Sequence, residues 1–219
     1  MRFGVVGSSG RMGREVVRIF SEAGHDLVLS VDEKSRDITG VPEVILDFSL
    51  PAGLPVSIAL SREYGCGLIV GSTGLSDEQV EELRQLGESC AVVHSSNFGI
   101  GINLLSMILD DYREQFAGWD MEIVETHHDK KRDAPSGSAL MLAAATGRDF
   151  PLERMHSLRL GNLPGDHAVH MSNGDELIVL SHRLVNRAAL AAGALRAAEF
   201  ARSAPAGYYT FRDVLRTKK

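Results

Sequence analysis

Short apolar runs alternate with amphipathic stretches through the first half of the chain. Phe3–Val6, Leu27–Val31, Val44–Asp47, Leu68–Val70 and Ala91–Val93 are compact and rich in β-formers. Continuous apolar runs of this length predict strands buried on both faces, as in a parallel sheet. Between them, Met12–Ala23, Leu54–Tyr64 and Asp77–Glu88 carry helical spacing. Ser76 is placed to cap the last of these, and Glu78 and Glu81 suit its first turns. Arg36–Val41 reads as a compact connection. Such strand–helix alternation predicts a doubly wound α/β layer, Rossmann-like in its order.

Near Asn97 the pattern changes. A helix is expected from about Ile102 to Phe116, then a strand over Met121–Thr126. A polar loop, His127–Ser136, leads into a helix from Gly137 to Thr146. Leu158–Leu160, Ala168–Ser172 and Glu176–Ser181 read as strands, with Asn173-Gly174 as a hairpin turn. A long helix over Arg187–Arg202 and a short helix within Tyr208–Thr217 complete the pattern. The expected organisation is a dinucleotide-binding domain from residues 1–97 and 187–219, and a smaller α+β domain for substrate binding and oligomerisation from residues 98–186.

Charge narrows the possible partners. With 23 Lys and Arg against 29 Asp and Glu, the net charge is −6. That balance argues against a general nucleic-acid binder, so an anionic substrate needs its own cluster of cations. Only Cys66 and Cys90 are present, in no metal-binding pattern, as two small core residues of a reducing compartment. The Gly-interrupted start does not resemble a signal peptide. The Ala-rich run around residues 188–201 is broken by Arg196 and Glu199, which argues against a membrane span. The expected location is the cytoplasm.

Gly7-Ser8-Ser9-Gly10-Arg11-Met12-Gly13 joins the first expected strand to the first helix. Small residues there let backbone N–H groups approach a pyrophosphate, and the helix N-terminus favours its charge. The spacing is G-x-x-G-x-x-G, which a tight structural turn also satisfies. Asp32 ends the second strand, 19 residues after Gly13. A carboxylate at that place accepts hydrogen bonds from the adenosine ribose and repels a 2′-phosphate. NADH is therefore expected to be preferred, with some NADPH tolerance from the nearby Arg11 and Lys34. Alone, Asp32 is equally a solvated strand-end acid. Gly71-Ser72-Thr73 and Ser95-Ser96-Asn97-Phe98 follow later strands, where open α/β sheets bind ligands.

The densest chemistry runs from Glu125 to Ser138. Two adjacent histidines, His127 and His128, precede Lys130-Lys131-Arg132 and a Ser136-Gly137-Ser138 helix start. Histidine donates protons near neutral pH, lysine grips anions, and helix-start amides receive carboxylates. Taken singly, the cation run is a solvated face, and the paired histidines have no third metal ligand at recognisable spacing. Together, beside a nucleotide domain, they favour a reductase of an anionic substrate. Another NAD(P)-dependent dehydrogenase of a small carboxylate, or a non-catalytic nucleotide-sensing module, are the competing readings.

The segments V-G-S-S-G-R-M-G (6–13), L-D-F-S (46–49), G-S-T-G (71–74), N-F-G-I-G-I-N (97–103), E-T-H-H-D-K-K-R-D-A-P-S-G-S-A (125–139) and G-D-H (165–167) resemble the 4-hydroxy-tetrahydrodipicolinate reductase family. The resemblance implies a Rossmann domain with a substrate domain, a homotetramer, and NAD(P)H-dependent reduction of a small dicarboxylic cyclic substrate. It places the proton donor on His127 and a second catalytic residue on Lys131. It places substrate contacts on His128, Gly137 and Ser138. Cofactor contacts fall on Gly7 through Met12, Asp32, Gly71–Thr73 and Ser95–Phe98. Ser138 and Ser72 stand where the family commonly has Thr, and Glu33 stands where some members carry an Arg that favours NADPH.

Overall fold

The computed structural model describes residues 1–217. It divides into two compact units. The first joins Met1–Phe98 to the chain from Ala188 onward, and the second is Gly99–Arg187.

In the first unit, β1 (Arg2–Val6), β2 (Asp26–Asp32), β4 (Val44–Asp47), β5 (Gly67–Val70) and β6 (Ala91–His94) are parallel. Two edges extend the sheet: β3 (Ser35–Ile38) lies antiparallel to β2, and β11 (Gly207–Thr210) parallel to β6. The order is β11-β6-β5-β4-β1-β2-β3. Helices α2 (Leu54–Tyr64) and α3 (Asp77–Gly87) cover one face through Leu54, Ile58, Leu83 and Leu86, packed on Ile45, Leu68 and Val92. Helices α1 (Arg11–Glu22) and α6 (Ala188–Ala201) take the other, where Phe20 stacks on Phe3 at 4.8 Å and Ala201 closes on Gly67. The sheet is thus doubly wound. Local chemistry sets the helix ends. Ser76 and Gln79 form a reciprocal capping box at α3, and Gly65 ends α2 in a left-handed conformation.

The second unit is a four-stranded sheet, β10-β9-β7-β8, under two helices. Its strands are β7 (Asp120–His127), β8 (Met155–Arg159), β9 (Asp166–Ser172) and β10 (Leu177–Arg183). Only the β7–β8 pair is parallel. Helices α4 (Ile100–Asp111) and α5 (Gly137–Ala145) bury Ile102, Leu105, Leu109 and Leu142 against Ile123, Val169 and Met171. From Met121 onward the residues of β7 alternate between buried and half-buried, the mark of a sheet with one covered face.

Four expectations change. Arg36–Val41 is not a plain connection: β3 occupies its start, with every residue exposed, so no burial period announced it. Helix α4 ends at Asp111 rather than Phe116, because Tyr112 leaves the helical conformation at φ −112°, ψ 15° and the chain continues in three-residue turns. The strand expected at Leu158–Leu160 lies earlier, at Met155–Arg159. The C-terminal segment holds a strand, β11, as well as a helix, α7 (Phe211–Arg216), which Thr210 and Asp213 cap reciprocally.

Candidate active site

At the C-terminal edge of the first sheet, β1 runs into the glycine loop. Gly7 has φ +83°, and a Cβ there would meet the Phe48 carbonyl at 2.9 Å. A Cβ on Gly13 would lie 2.0 Å from the Gly7 carbonyl oxygen. Only glycine permits that approach of α1 to the loop. Gly10 caps α1 without a side-chain hydrogen bond, so the first-turn amides keep their donor capacity. Asp32 closes over this loop, accepting the Ser8 hydroxyl at 2.6 Å, the Ser9 N–H at 3.0 Å and the Ser9 hydroxyl at 2.9 Å. Burial pushes its carboxyl upward, and these hydrogen bonds together outweigh that, holding it below the usual carboxylate range.

Two cavities adjoin the loop. One of about 710 Å³ is lined by Gly7, Ser9, Gly10, Asp32 and Glu33, with Val56 on its apolar wall. The other, about 460 Å³, is lined by Arg11 and Met12, by Gly71, Ser72 and Thr73, and by Ser96, Asn97 and Phe98. Phe48, Ser49 and Leu50 line both. Of the expected cofactor residues, Ser8 and Ser95 line neither. Ser8 holds Asp32, and the Ser95 hydroxyl donates to the Asn97 carbonyl at 2.8 Å. The fully buried Asp47 anchors this rim, accepting hydroxyls from Ser49, Ser57 and Ser72 at 2.6, 2.6 and 2.8 Å. Sequence reasoning gave neither Asp47 nor Phe48 a role, since only their place at the end of β4 reveals them.

In the second unit, β7 delivers His127, buried, at its last position. The Nδ1 of His127 hydrogen-bonds the carboxylate of Glu125, itself buried. Arg159 of β8 donates to the other Glu125 oxygen at 2.8 Å. Burial works to raise the Glu125 carboxyl, and the hydrogen-bonding groups of Arg159, Ser157 and His127 hold it low instead. For His127, burial lowers the pKa, Glu125 opposes it, and the charges of Lys131 and Arg159 add to the lowering, so the net direction is down. His167 of β9 packs its ring 5.1 Å from that of His127, and burial depresses it to about 4. Ligand atoms of Glu125, His127 and His167 lie within 4.8 Å of one another, yet the guanidinium on Glu125 opposes a metal ion there.

The following loop carries the cations. Half-buried Lys131 pairs with Asp133 at 2.8 Å, and its N–H donates to the His128 carbonyl at 3.1 Å. A cis Ala134–Pro135 bond leads to Ser136, which caps α5 by accepting the Ala139 N–H. Gly137 and Ser138 occupy the first two positions of α5, and a Cβ on Gly137 would meet nothing within 4 Å. Open space thus lies before the first turn of α5, where a helix start favours negative charge. Glu125, Arg159 and His167 went unassigned in the sequence. The G-D-H segment contained His167 without a role, and the pairing of β8 with β7 was not legible.

Comparison with known proteins identifies the arrangement. The model for the dihydrodipicolinate reductase N-terminus matches residues 1–98, and that for the C-terminus residues 101–215. The 4-hydroxy-tetrahydrodipicolinate reductase of Thermosipho africanus is 43% identical over 216 residues, spanning 99% of this chain and 98% of that protein. That of Stenotrophomonas maltophilia is 38% identical over 233 residues, spanning 98% of each. A dipicolinate-bound dihydrodipicolinate reductase from Paenisporosarcina sp. TG-14 shares the fold, with TM-score 0.80 at 23% identity over 96% of this chain and 97% of that one. Chain length, both family halves and the fold agree: this chain belongs to the dihydrodipicolinate reductase family of NAD(P)H-dependent oxidoreductases in lysine and diaminopimelate biosynthesis.

Proposed function

We propose that the protein reduces 4-hydroxy-tetrahydrodipicolinate to tetrahydrodipicolinate, with NADH preferred over NADPH. The observation that carries this reading is the joining of a buried, carboxylate-bound His127 to a lysine and an open helix start within one segment. When bound, a reduced nicotinamide supplies the hydride. The chain's own residues do the rest. The amides of Gly7 through Met12 receive the pyrophosphate. Asp32 takes the ribose hydroxyls, and Glu33 beside it adds a second negative charge against a 2′-phosphate. Gly71–Thr73 and Ser95–Phe98 contact or support the nicotinamide end.

On the substrate side, Lys131, His128 and the Gly137-Ser138 amides hold the two carboxylates. His127 gives up the balancing proton from Nε2, since Nδ1 is engaged by Glu125. A doubly anionic substrate raises the affinity of His127 for that proton, offsetting burial. Orientation and proton donation supply the acceleration asked of the protein.

A homotetramer built on the second sheet fits this reading. The face of β7–β10 turned from α4 and α5 exposes Leu158, Leu177 and Val179 around a shallow cavity lined by Thr126, Ala168 and Ser181. No helix among the described residues is long and apolar enough to cross a membrane. We place the enzyme in the cytoplasm, where both thiols stay reduced; burial pushes Cys66 up to about 12.

The deciding experiment couples the protein to dihydrodipicolinate synthase and follows oxidation of NADH and of NADPH in turn. Turnover with both and a higher kcat/KM for NADH is expected. Absence of turnover with either removes the reading.

A further inference from the structure

We propose that Arg159 and Glu125 are a positioning pair: Arg159 fastens Glu125 to the Lys131–Asp133 segment, and Glu125 fixes His127 with Nε2 as its working nitrogen. This rests on the reading of His127 as proton donor and Lys131 as carboxylate holder.

The geometry is specific. Arg159 lies opposite His127 in the parallel β7–β8 register. Its Nη2 donates to Glu125 Oε1 at 2.8 Å and to the Asp133 carbonyl at 2.6 Å. Its Nε donates to the Lys131 carbonyl at 3.2 Å, and its Nη1 to the Leu158 carbonyl at 2.7 Å. One planar guanidinium therefore ties strand β7, strand β8 and the cationic loop together. A lysine has neither the fork nor the reach to replace all four bonds.

Glu125 transmits the constraint. Its side chain is fully excluded from solvent, and it faces a guanidinium, an imidazole and the Ser157 hydroxyl. An ionised carboxylate only accepts hydrogen bonds, so the Nδ1 of His127 carries a hydrogen. The neutral ring then keeps its lone pair on Nε2, which lies on the Gly165 side: a Cβ on Gly165 would sit 3.2 Å from it. The reacting proton is gained and released there. The charged and titratable groups around His127 are Glu125 on its own strand, Arg159 from β8, His167 from β9 and Lys131 from the loop. Among these, Glu125 alone is anionic, so it alone favours the imidazolium. The Ser136 hydroxyl contacts His167 Nε2 at 3.3 Å, a separate pairing that leaves Glu125 to His127.

Nitrogen-15 spectra of the imidazoles and pH–rate profiles test the pair on the full-length protein. Neutral His127 is expected as the Nδ1–H form. Glu125→Gln should lower kcat at least about tenfold and move its histidine limb to lower pH, with KM for NADH unchanged. Arg159→Lys, which keeps the charge but not the fork, should raise KM for the dicarboxylic substrate. An Nε2–H tautomer of His127 in the unaltered protein overturns the proposal, and that measurement stands even if Glu125→Gln does not fold. Loss of turnover in His127→Gln beside an unmoved pH limb in Glu125→Gln overturns the pair while leaving His127 as donor. Full turnover in His127→Gln overturns the donor assignment, and with it the pair's purpose.

Discussion

Asp32 takes hydrogen bonds from both the backbone N–H and the hydroxyl of Ser9, so the acid that ends β2 and the loop that follows β1 are held as one piece. The carboxylate proposed to read the ribose is thereby set in place before any nucleotide arrives. Replacing Asp32 with Ala should cut kcat/KM for NADH about tenfold or more, the worth of a charge-assisted hydrogen bond, and move the cofactor ratio toward NADPH. Steady-state kinetics with both nucleotides measure the ratio. A ratio that does not move removes Asp32 as the discriminator.

Lys131→Ala should depress turnover by about a hundredfold or more while NADH still binds. Asp133, its present partner, is exposed, so the loss of that surface pair costs little stability. Nucleotide binding followed by fluorescence separates the two steps. Wild-type turnover in the variant excludes Lys131 from the chemistry.

His167 sets a pH dependence of folding. Burial depresses it to about 4 in the folded state, so the unfolded chain binds the extra proton between about 6.5 and 4. Stability therefore falls as pH drops through that window, by up to about 3 kcal/mol from this group alone. His94 and His182, also lowered by burial, act in the same direction. Thermal melts from pH 7 to pH 4.5 should show a shallower slope for His167→Gln than for the wild type. Parallel curves would show that His167 is not the group responsible.

The exposed face of the second sheet predicts the assembly. Val179→Asp places a charge beside Leu177 on that face and should reduce the mass measured by light scattering. A variant mass equal to that of the wild type would locate the interface elsewhere.

What was legible in the chain follows burial. Four of the five parallel strands are buried runs, β2 is a half-buried apolar one, and the glycine loop and the His127–Ser138 segment are compact in sequence, so local chemistry exposed them. Strand β3 was hidden because all four of its residues face solvent, and β11 because Gly-Tyr-Tyr-Thr has no alternation to read. Arg159 was hidden for a different reason. Its partner Glu125 is 34 residues away, and their meeting depends on the one parallel pairing in an otherwise antiparallel sheet. Asp47 was quoted as part of a motif, but its three serine donors come from separate elements.

The last strand, β11, completes a sheet whose other strands all lie within the first 94 residues. During synthesis, β6 must therefore wait as a bare edge while more than a hundred further residues leave the ribosome. The nascent enzyme is most open to strand-to-strand aggregation in that interval, and a stop codon before Gly207 would leave the vulnerable edge permanently uncovered.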